Sequence, residues 1–376
     1  MGIKNLMKLL KSVAPETNKK IELSKFSGKK FAIDTSIYMY RFMYSLKLNG
    51  IPDGSPLDGF IRQASTLINL GIVPLYVFDG KPPKEKKDTI KDRIEKKDKT
   101  VNKINELNSI KLSLTEKSIG EKSDSPIICT SGNSYSTVSE VQSQIKKLDK
   151  RVLDVNAEHF EECKKLFTLM GVPYITACGE AESLCARLVK EGYVDAAVSE
   201  DTDLYPSGSP VIIKDLNTDK STASICYLKD ILDKLDITQK QLIDICILCG
   251  CDYLNCNIRG IGPKRAYEFI KKYGTIEKII EELCGEGKKY TVPDSFDYQT
   301  ARNIFFESGC ATDLTDLKVC MKTPDVGELM IFCNKFYLHK KWKNYLENSY
   351  FMKVQKLVKN KSLDDFFSSR TIHDKT

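Results

Sequence analysis

Four apolar runs along this chain end in acid. KKFAID, VPLYVFD, VPYITACGE and DAAVSED each read as a strand whose last positions turn polar and anionic. Residues 29–80 read as strand, helix, strand, and residues 155–227 as helix and strand in alternation with short turns. Alternation of this kind predicts an α/β fold, a mostly parallel central sheet flanked by helices on both faces.

The pattern changes between those stretches. Residues 81–103 carry ten Lys/Arg and five Asp/Glu with few apolar positions, which predicts one or two exposed helices with a basic face. Residues 107–145 are rich in Ser and Thr and read as a flexible insertion rather than packed core. Farther on, TQKQLIDICILCG reads as a helix with Thr238 at its N-cap. NIRGIGPKRAYEFIKKYG then gives a glycine-rich turn and a basic helix with Pro263 at its first position. Gly260 and Gly262 let backbone amides approach a phosphate, and Lys264 and Arg265 add charge at the helix start. Helix, glycine turn, helix is a way to grip a DNA backbone without reading its sequence.

Composition narrows the reading. The 376 residues allow two or three domains, or one large α/β domain with additions, and 41% hydrophobic content supports a sizeable core. No run of about 18 apolar residues exists, so no membrane span is expected. MGIKNLMKLL lacks the apolar region and cleavage site of a signal peptide. The net charge of +7 suits a polyanionic partner. Thirteen cysteines without a secretory signal read as free thiols. The spacing of Cys246, Cys249, Cys251 and Cys256 resembles a zinc or iron–sulfur set, but QLIDICILCG also reads as an amphipathic helix that uses Cys as small apolar filler.

The candidate chemistry lies in seven carboxylates: Asp34, Asp79, Glu180, Glu182, Asp201, Asp203 and Asp252. Side chains at the carboxyl ends of parallel strands face one crevice. So many acids cannot all ionise together unaided, because like charges raise one another's pKa. Hard oxygen donors, with only three scattered histidines in the chain, point to Mg²⁺ or Mn²⁺ rather than Zn²⁺. The arrangement predicts a two-metal phosphodiesterase, in which one ion activates a water and the other offsets charge on the leaving 3′ oxygen. At the far end, Leu363, Phe366 and Phe367 in NKSLDDFFSSR share one face of a helical turn and read as anchors for a partner's pocket.

Together the blocks MGI, AIDTS, VFDGKPP, GEAE, SEDTD, CGCDY, RGIGPKRA and SLDDFF resemble, in order and over nearly the whole chain, the flap endonuclease branch of the XPG-type 5′ nucleases. The resemblance implies a structure-specific 5′-flap endonuclease with 5′–3′ exonuclease activity, working on flapped or branched DNA in replication and repair. An exonuclease- or gap-type relative, or an inactive DNA-binding scaffold, is the alternative. It places the ligands of two Mg²⁺ ions, which Mn²⁺ can replace, on the seven carboxylates, with Asp34, Asp79, Glu180 and Asp201 catalytic. It assigns Lys86 and Arg93 to the scissile phosphate, and their spacing places them on one helix face, two turns apart. DNA contacts fall on Tyr40, which stacks on a base, and on Lys47, Glu180, Gly250, Asp252, Gly260, Gly262, Lys264 and Arg265. RGIGPKRA matches the family's helix–two-turn–helix, which carries K⁺. Leu363, Phe366 and Phe367 would dock a sliding clamp.

The sequence departs from the family at several positions. Lys47 and Gln63 stand where arginines are usual, with Arg62 beside the latter, and Asn360 stands where the clamp motif has Gln. The expected division is a nuclease region over 1–95, an arch with the insertion over 96–150, a second nuclease region over 151–256, a helical DNA-binding region over 257–345 and a tail over 346–376. A monomer acting in the nucleus, or at the cytoplasmic replication site of a large DNA virus, is the expected setting.

Overall fold

The computed structural model describes residues 2–51, 54–119, 127–128, 134–135, 137–285, 287–307, 311–336, 338, 346 and 350–358. Its elements in chain order are α1 (Leu6–Val13), β1 (Lys19–Glu22), β2 (Lys30–Asp34), α2 (Thr35–Leu48), α3 (Leu57–Asn69), β3 (Val73–Phe78) and α4 (Lys87–Ile119). Then come β4 (Ile127–Ile128), β5 (Ser134–Tyr135), α5 (Val138–Asp149), α6 (Ala157–Met170), β6 (Tyr174–Thr176), α7 (Ala181–Lys190) and β7 (Ala196–Val198). The rest are β8 (Val211–Asn217), β9 (Thr222–Tyr227), α8 (Leu228–Leu235), α9 (Gln239–Cys249), α10 (Pro263–Tyr273), α11 (Ile276–Leu283), α12 (Tyr298–Glu307) and α13 (Val326–Lys335).

Two compact units result. The first comprises Met1–Met39, Ser55–Lys86 and Ala157–Thr376, and the second Tyr40–Gly54 and Lys87–Asn156.

The first unit is built on a seven-stranded sheet of order β1-β9-β8-β7-β2-β3-β6. The neighbours from β6 to β8 run parallel, while β9 pairs antiparallel with β8 and with β1. Every residue of β3 is buried, as expected for a parallel strand covered on both faces. On one face Tyr76 stacks on Phe167 of α6 (centroids 4.0 Å apart), and Phe60 of α3 meets both rings edge-on. α7 packs against β2, β3 and β7.

The strand order places the crevice. From β2 the chain proceeds outward to β3 and β6, then returns to add β7 and β8 on the other side of β2. Ligands of open α/β sheets bind at such a reversal, outside the carboxyl ends of the strands. Here the acidic blocks follow β2, β3, β6 and β7.

The helix predicted around residues 239–249 is α9. It opens with a reciprocal capping box, Thr238 Oγ1 accepting from Gln241 N–H (3.3 Å) and Gln241 Oε1 from Thr238 N–H (2.9 Å). Pro263 opens α10 as expected. Buried Asp244 of α9 takes a forked bond from Arg302 of α12 and accepts from Ile276 N–H of α11, so one carboxylate ties three helices.

The second unit corrects one expectation. The Ser/Thr-rich stretch does not begin a loose insertion at residue 107: α4 is continuous to Ile119, and α5 packs against it. Leu107, Ile110 and Leu114 recur at helical spacing and bury with Val141 and Leu148, flanked by Ile104, Val138 and Ile145. Thr137 and Glu140 form the capping box that starts α5. A few apolar positions at the right period outweigh a polar average when a partner helix covers them.

Candidate active site

Asp34 ends β2 and turns its carboxylate onto the start of α2. Its Oδ1 accepts from Ser36 N–H (3.0 Å) and Ile37 N–H (3.4 Å), and its Oδ2 from Ser199 Oγ (2.8 Å), which lies just past β7. Asp79 follows β3. Its Oδ1 caps α7 by accepting from Ala181 N–H (2.8 Å), and its Oδ2 accepts from Ser36 Oγ. Two parallel strands thus send their terminal acids to helix N-termini, where the dipole favours negative charge.

Glu180 is the N-cap residue of α7 but makes no side-chain cap bond. Its carboxylate instead meets Lys86 at Oε1 and the Tyr253 hydroxyl at Oε2. Lys86 also stands 3.7 Å from Asp252 Oδ2. After β7, Asp201 is the N-cap of a 3-10 turn over Thr202–Leu204, and its Oδ1 accepts from Asp203 N–H (3.2 Å). Ser199 Oγ accepts from Asp201 N–H (3.0 Å), so one serine joins the Asp34 and Asp201 blocks.

The electrostatics follow from packing. Burial, then the charges of Asp79 and Asp201, raises Asp34 to about 7. Burial and neighbouring carboxylates push Glu182 and Asp203 well above the ordinary range. Burial disfavours the Lys86 ammonium, but the charge of Glu180 and its hydrogen bond outweigh that and hold the amine protonated. Burial keeps the Tyr253 phenol protonated as a donor.

The donor set suits a hard divalent cation. Every candidate ligand is a carboxylate, and Asp203 Oδ1 is buried without a hydrogen-bond partner, an arrangement a cation would satisfy. No three His, Cys, Asp or Glu side chains form a ready-made ion cage among the described residues. Lys86 lies between Glu180 and Asp252, so both would have to share their oxygens with an ion.

The other expected residues distribute as follows. Lys86 closes a 3-10 turn, Lys84–Lys86, through a bond from its N–H to Pro83 O (3.2 Å). α4 begins at Lys87, so Lys86 belongs to the turn, in the first unit, and Arg93 to α4, in the second. Tyr40 is 44% exposed on α2, also in the second unit. Lys47 is held within that unit, donating to Val152 O (2.7 Å) and pairing with Asp149 (3.0 Å). Gln63 is a core residue, accepting from the Tyr76 hydroxyl, while Arg62 pairs with Asp219 at the surface.

Gly250 ends α9 and its carbonyl accepts from Lys4 N–H (3.0 Å). Gly260 and Gly262 form the turn before α10. Gly262 is the N-cap, Arg265 Nη1 braces the turn on Gly260 O (2.6 Å), and Lys264 is exposed. Cys246, Cys249 and Cys251 are buried, and burial pushes the thiols of Cys249 and Cys251 to about 12. Leu363, Phe366, Phe367 and Asn360 lie outside the described residues.

Sequence reasoning passed over the groups that hold the acids in place, Ser36, Ser199 and Tyr253, and over Gly2, which leaves room for them. Gly2 has φ +73°, and a Cβ there would collide with Asp201 Oδ1 and lie 2.6 Å from Asp203 Oδ1 and from Thr202 Oγ1. Thr202 Oγ1 accepts from Ile3 N–H (2.7 Å), which fixes the N-terminal segment against these acids. The only signal was position, Gly2 inside MGI and Tyr253 inside CGCDY.

Comparison with known proteins agrees with this arrangement. Residues 1–100 match the XPG N-terminal domain and residues 171–252 the XPG I-region. Flap endonuclease 1-A of Xenopus laevis is 34% identical over 98% of this chain and 90% of its own length. The solved flap endonuclease-1 of Methanococcus jannaschii is 26% identical with a TM-score of 0.62, covering 91% of this chain and 98% of that one. The catalytic core of Rad2 in complex with DNA substrate, 21% identical, shares the fold at a TM-score of 0.65 over 93% of this chain and 100% of that one. The chain belongs to the flap endonuclease family.

Proposed function

We propose that this chain hydrolyses a phosphodiester at the single-strand/duplex junction of 5′-flapped DNA, with Mg²⁺ or Mn²⁺ held by Asp34, Asp79, Glu180, Glu182, Asp201, Asp203 and Asp252. The observation that carries the reading is the gathering of acids at the carboxyl ends of adjacent parallel strands, with one protonated lysine among them. Divalent ions bound there would lower the pKa of an attacking water and offset charge on the leaving oxygen.

The chain's own groups supply the rest. Lys86, kept charged by Glu180, offers an ammonium to the scissile phosphate. Asp34 and Asp79 are locked by backbone and serine donors, so they need little reorganisation. The α9–turn–α10 element presents Gly260, Gly262 and exposed Lys264 to a duplex backbone, which selects by shape rather than sequence. Exposed Tyr40 offers a ring on which an unpaired base can stack. A role in replication and repair, in the nucleus, with a sliding clamp docked through Leu363, Phe366 and Phe367, completes the proposal.

The test is a rate comparison on end-labelled 5′-flap, blunt duplex and single-strand DNA of one sequence, with Mg²⁺ and after chelation. Metal-dependent incision near the flap base is expected. Preference for the blunt end supports the exonuclease-type alternative, and chelator-resistant cleavage contradicts the metal assignment.

A further inference from the structure

We infer that Tyr253 is the positioning residue of Glu180: its hydroxyl holds Oε2 so that the carboxylate stays aimed at the ion site when Lys86 leaves Oε1 for the substrate phosphate. The inference rests on the metal-dependent reading above and deepens it.

Glu180 needs an external anchor. As N-cap of α7 it makes no side-chain bond to its own helix, whose first N–H, that of Ala181, goes to Asp79. The Glu180 carboxylate therefore depends on side chains from elsewhere, Lys86 and Tyr253.

These two donors differ in kind. Lys86 is one ammonium on a flexible stem, shared between Glu180 and Asp252. If it also serves the phosphate, it cannot fix Glu180 at the same moment. Tyr253 is 6% exposed, and its ring packs edge-on against Phe305 of α12 at 5.1 Å between centroids. Phe305 is itself 2% exposed. A two-torsion aromatic wedged in this way loses little further freedom when it donates a bond. Outer hydroxyls of this type orient metal-binding carboxylates, and their loss costs about 10- to 100-fold in metal affinity or activity.

The test uses the full chain. Mn²⁺ binding without DNA is measured by calorimetry or by the electron spin resonance of free Mn²⁺, for wild type, Tyr253→Phe, Phe305→Leu and Asp201→Ala. Mg²⁺ half-saturation and the limiting single-turnover rate on a 5′ flap are measured alongside. Tyr253→Phe keeps the ring and its packing, so its metal-free melting should stay near wild type. Its Mn²⁺ affinity should fall about 10- to 100-fold, its half-saturating Mg²⁺ concentration should rise by the same factor, and its limiting rate should fall by less. Phe305→Leu should melt earlier yet lose much less Mn²⁺ affinity than Tyr253→Phe, because the hydroxyl is kept. Wild-type Mn²⁺ affinity in Tyr253→Phe overturns the inference and leaves the metal reading intact. An affinity loss in Phe305→Leu equal to that in Tyr253→Phe also overturns it, because packing alone would then explain the effect. Absence of any Mn²⁺ binding sensitive to Asp201→Ala overturns the metal reading and the inference together.

Discussion

Replacing Gly2 by alanine should slow cleavage about 100-fold while costing only about 1–2 kcal/mol of stability. Two terms separate. The backbone term is the cost of an L-residue at φ +73°, about 1–2 kcal/mol. The steric term is local to the acids. The new methyl would collide with Asp201 Oδ1 and lie 2.6 Å from Asp203 Oδ1 and Thr202 Oγ1, so these groups must retreat by about 1 Å to reach ordinary contact. Displacement on that scale costs about 10²-fold in rate, or ~2.7 kcal/mol of activation free energy. Gly28 supplies the control: it has φ +84° with nothing within 4 Å of an added Cβ, and it lies at the amino end of β2, opposite Asp34. Gly28→Ala carries the same strain and displaces nothing. The assay is single-turnover cleavage of a labelled 5′-flap DNA at saturating Mg²⁺, with melting curves for both variants. Equal rates for Gly2→Ala and wild type, or equal slowing by Gly28→Ala, would refute the steric argument.

Three further outcomes are expected. Folding raises Asp34 from 3.8 to about 7, so its contribution is complete below about pH 4 and is lost as pH rises through 7; metal-free protein should melt lower at pH 8 than at pH 5.5, with about 2 kcal/mol of stability lost from this group over that window, and saturating Mg²⁺ should oppose that trend because an ion needs the ionised carboxylate. A flat metal-free profile over that range contradicts the assignment. Leu107→Ala opens a cavity in the α4–α5 cluster and should cost about 2–5 kcal/mol, read as faster hydrogen exchange in those helices with sheet protection unchanged. Arg302→Ala strands buried Asp244 and should cost about 3 kcal/mol by denaturant unfolding, much of it recovered by adding Asp244→Asn; no recovery would mean that packing, not the unpaired charge, dominates.

The crevice was legible because two regularities coincide in the sequence. Parallel strands buried on both faces read as unbroken apolar runs, and VPLYVF is buried throughout. Acids that follow such runs lie at one end of the sheet, as Asp34, Asp79 and Asp201 do. Caps were legible for a similar reason: Thr238 with Gln241 and Pro263 act within a few residues of sequence. The α4–α5 packing was harder to read, since Leu107, Ile110 and Leu114 are dispersed in a polar average and become core only when Val141 and Leu148 cover them. The supporting groups were harder still. Tyr253 reaches Glu180 across 73 positions and Ile3 reaches Thr202 across 199. A hydroxyl or a glycine carries no local pattern that announces so distant a partner. Lys47 illustrates the same limit, a cation whose surface role depends on Asp149 and Val152 far along the chain.

The most direct test of the central claim is cleavage of an end-labelled 5′-flap DNA in Mg²⁺ by wild type beside Asp201→Ala, with a blunt duplex as control. The account predicts incision near the flap base by wild type, its loss in the variant with melting preserved, and little cutting of the blunt duplex. Equal flap cleavage by wild type and Asp201→Ala would contradict it, because the acids at the strand ends would then have no part in the reaction.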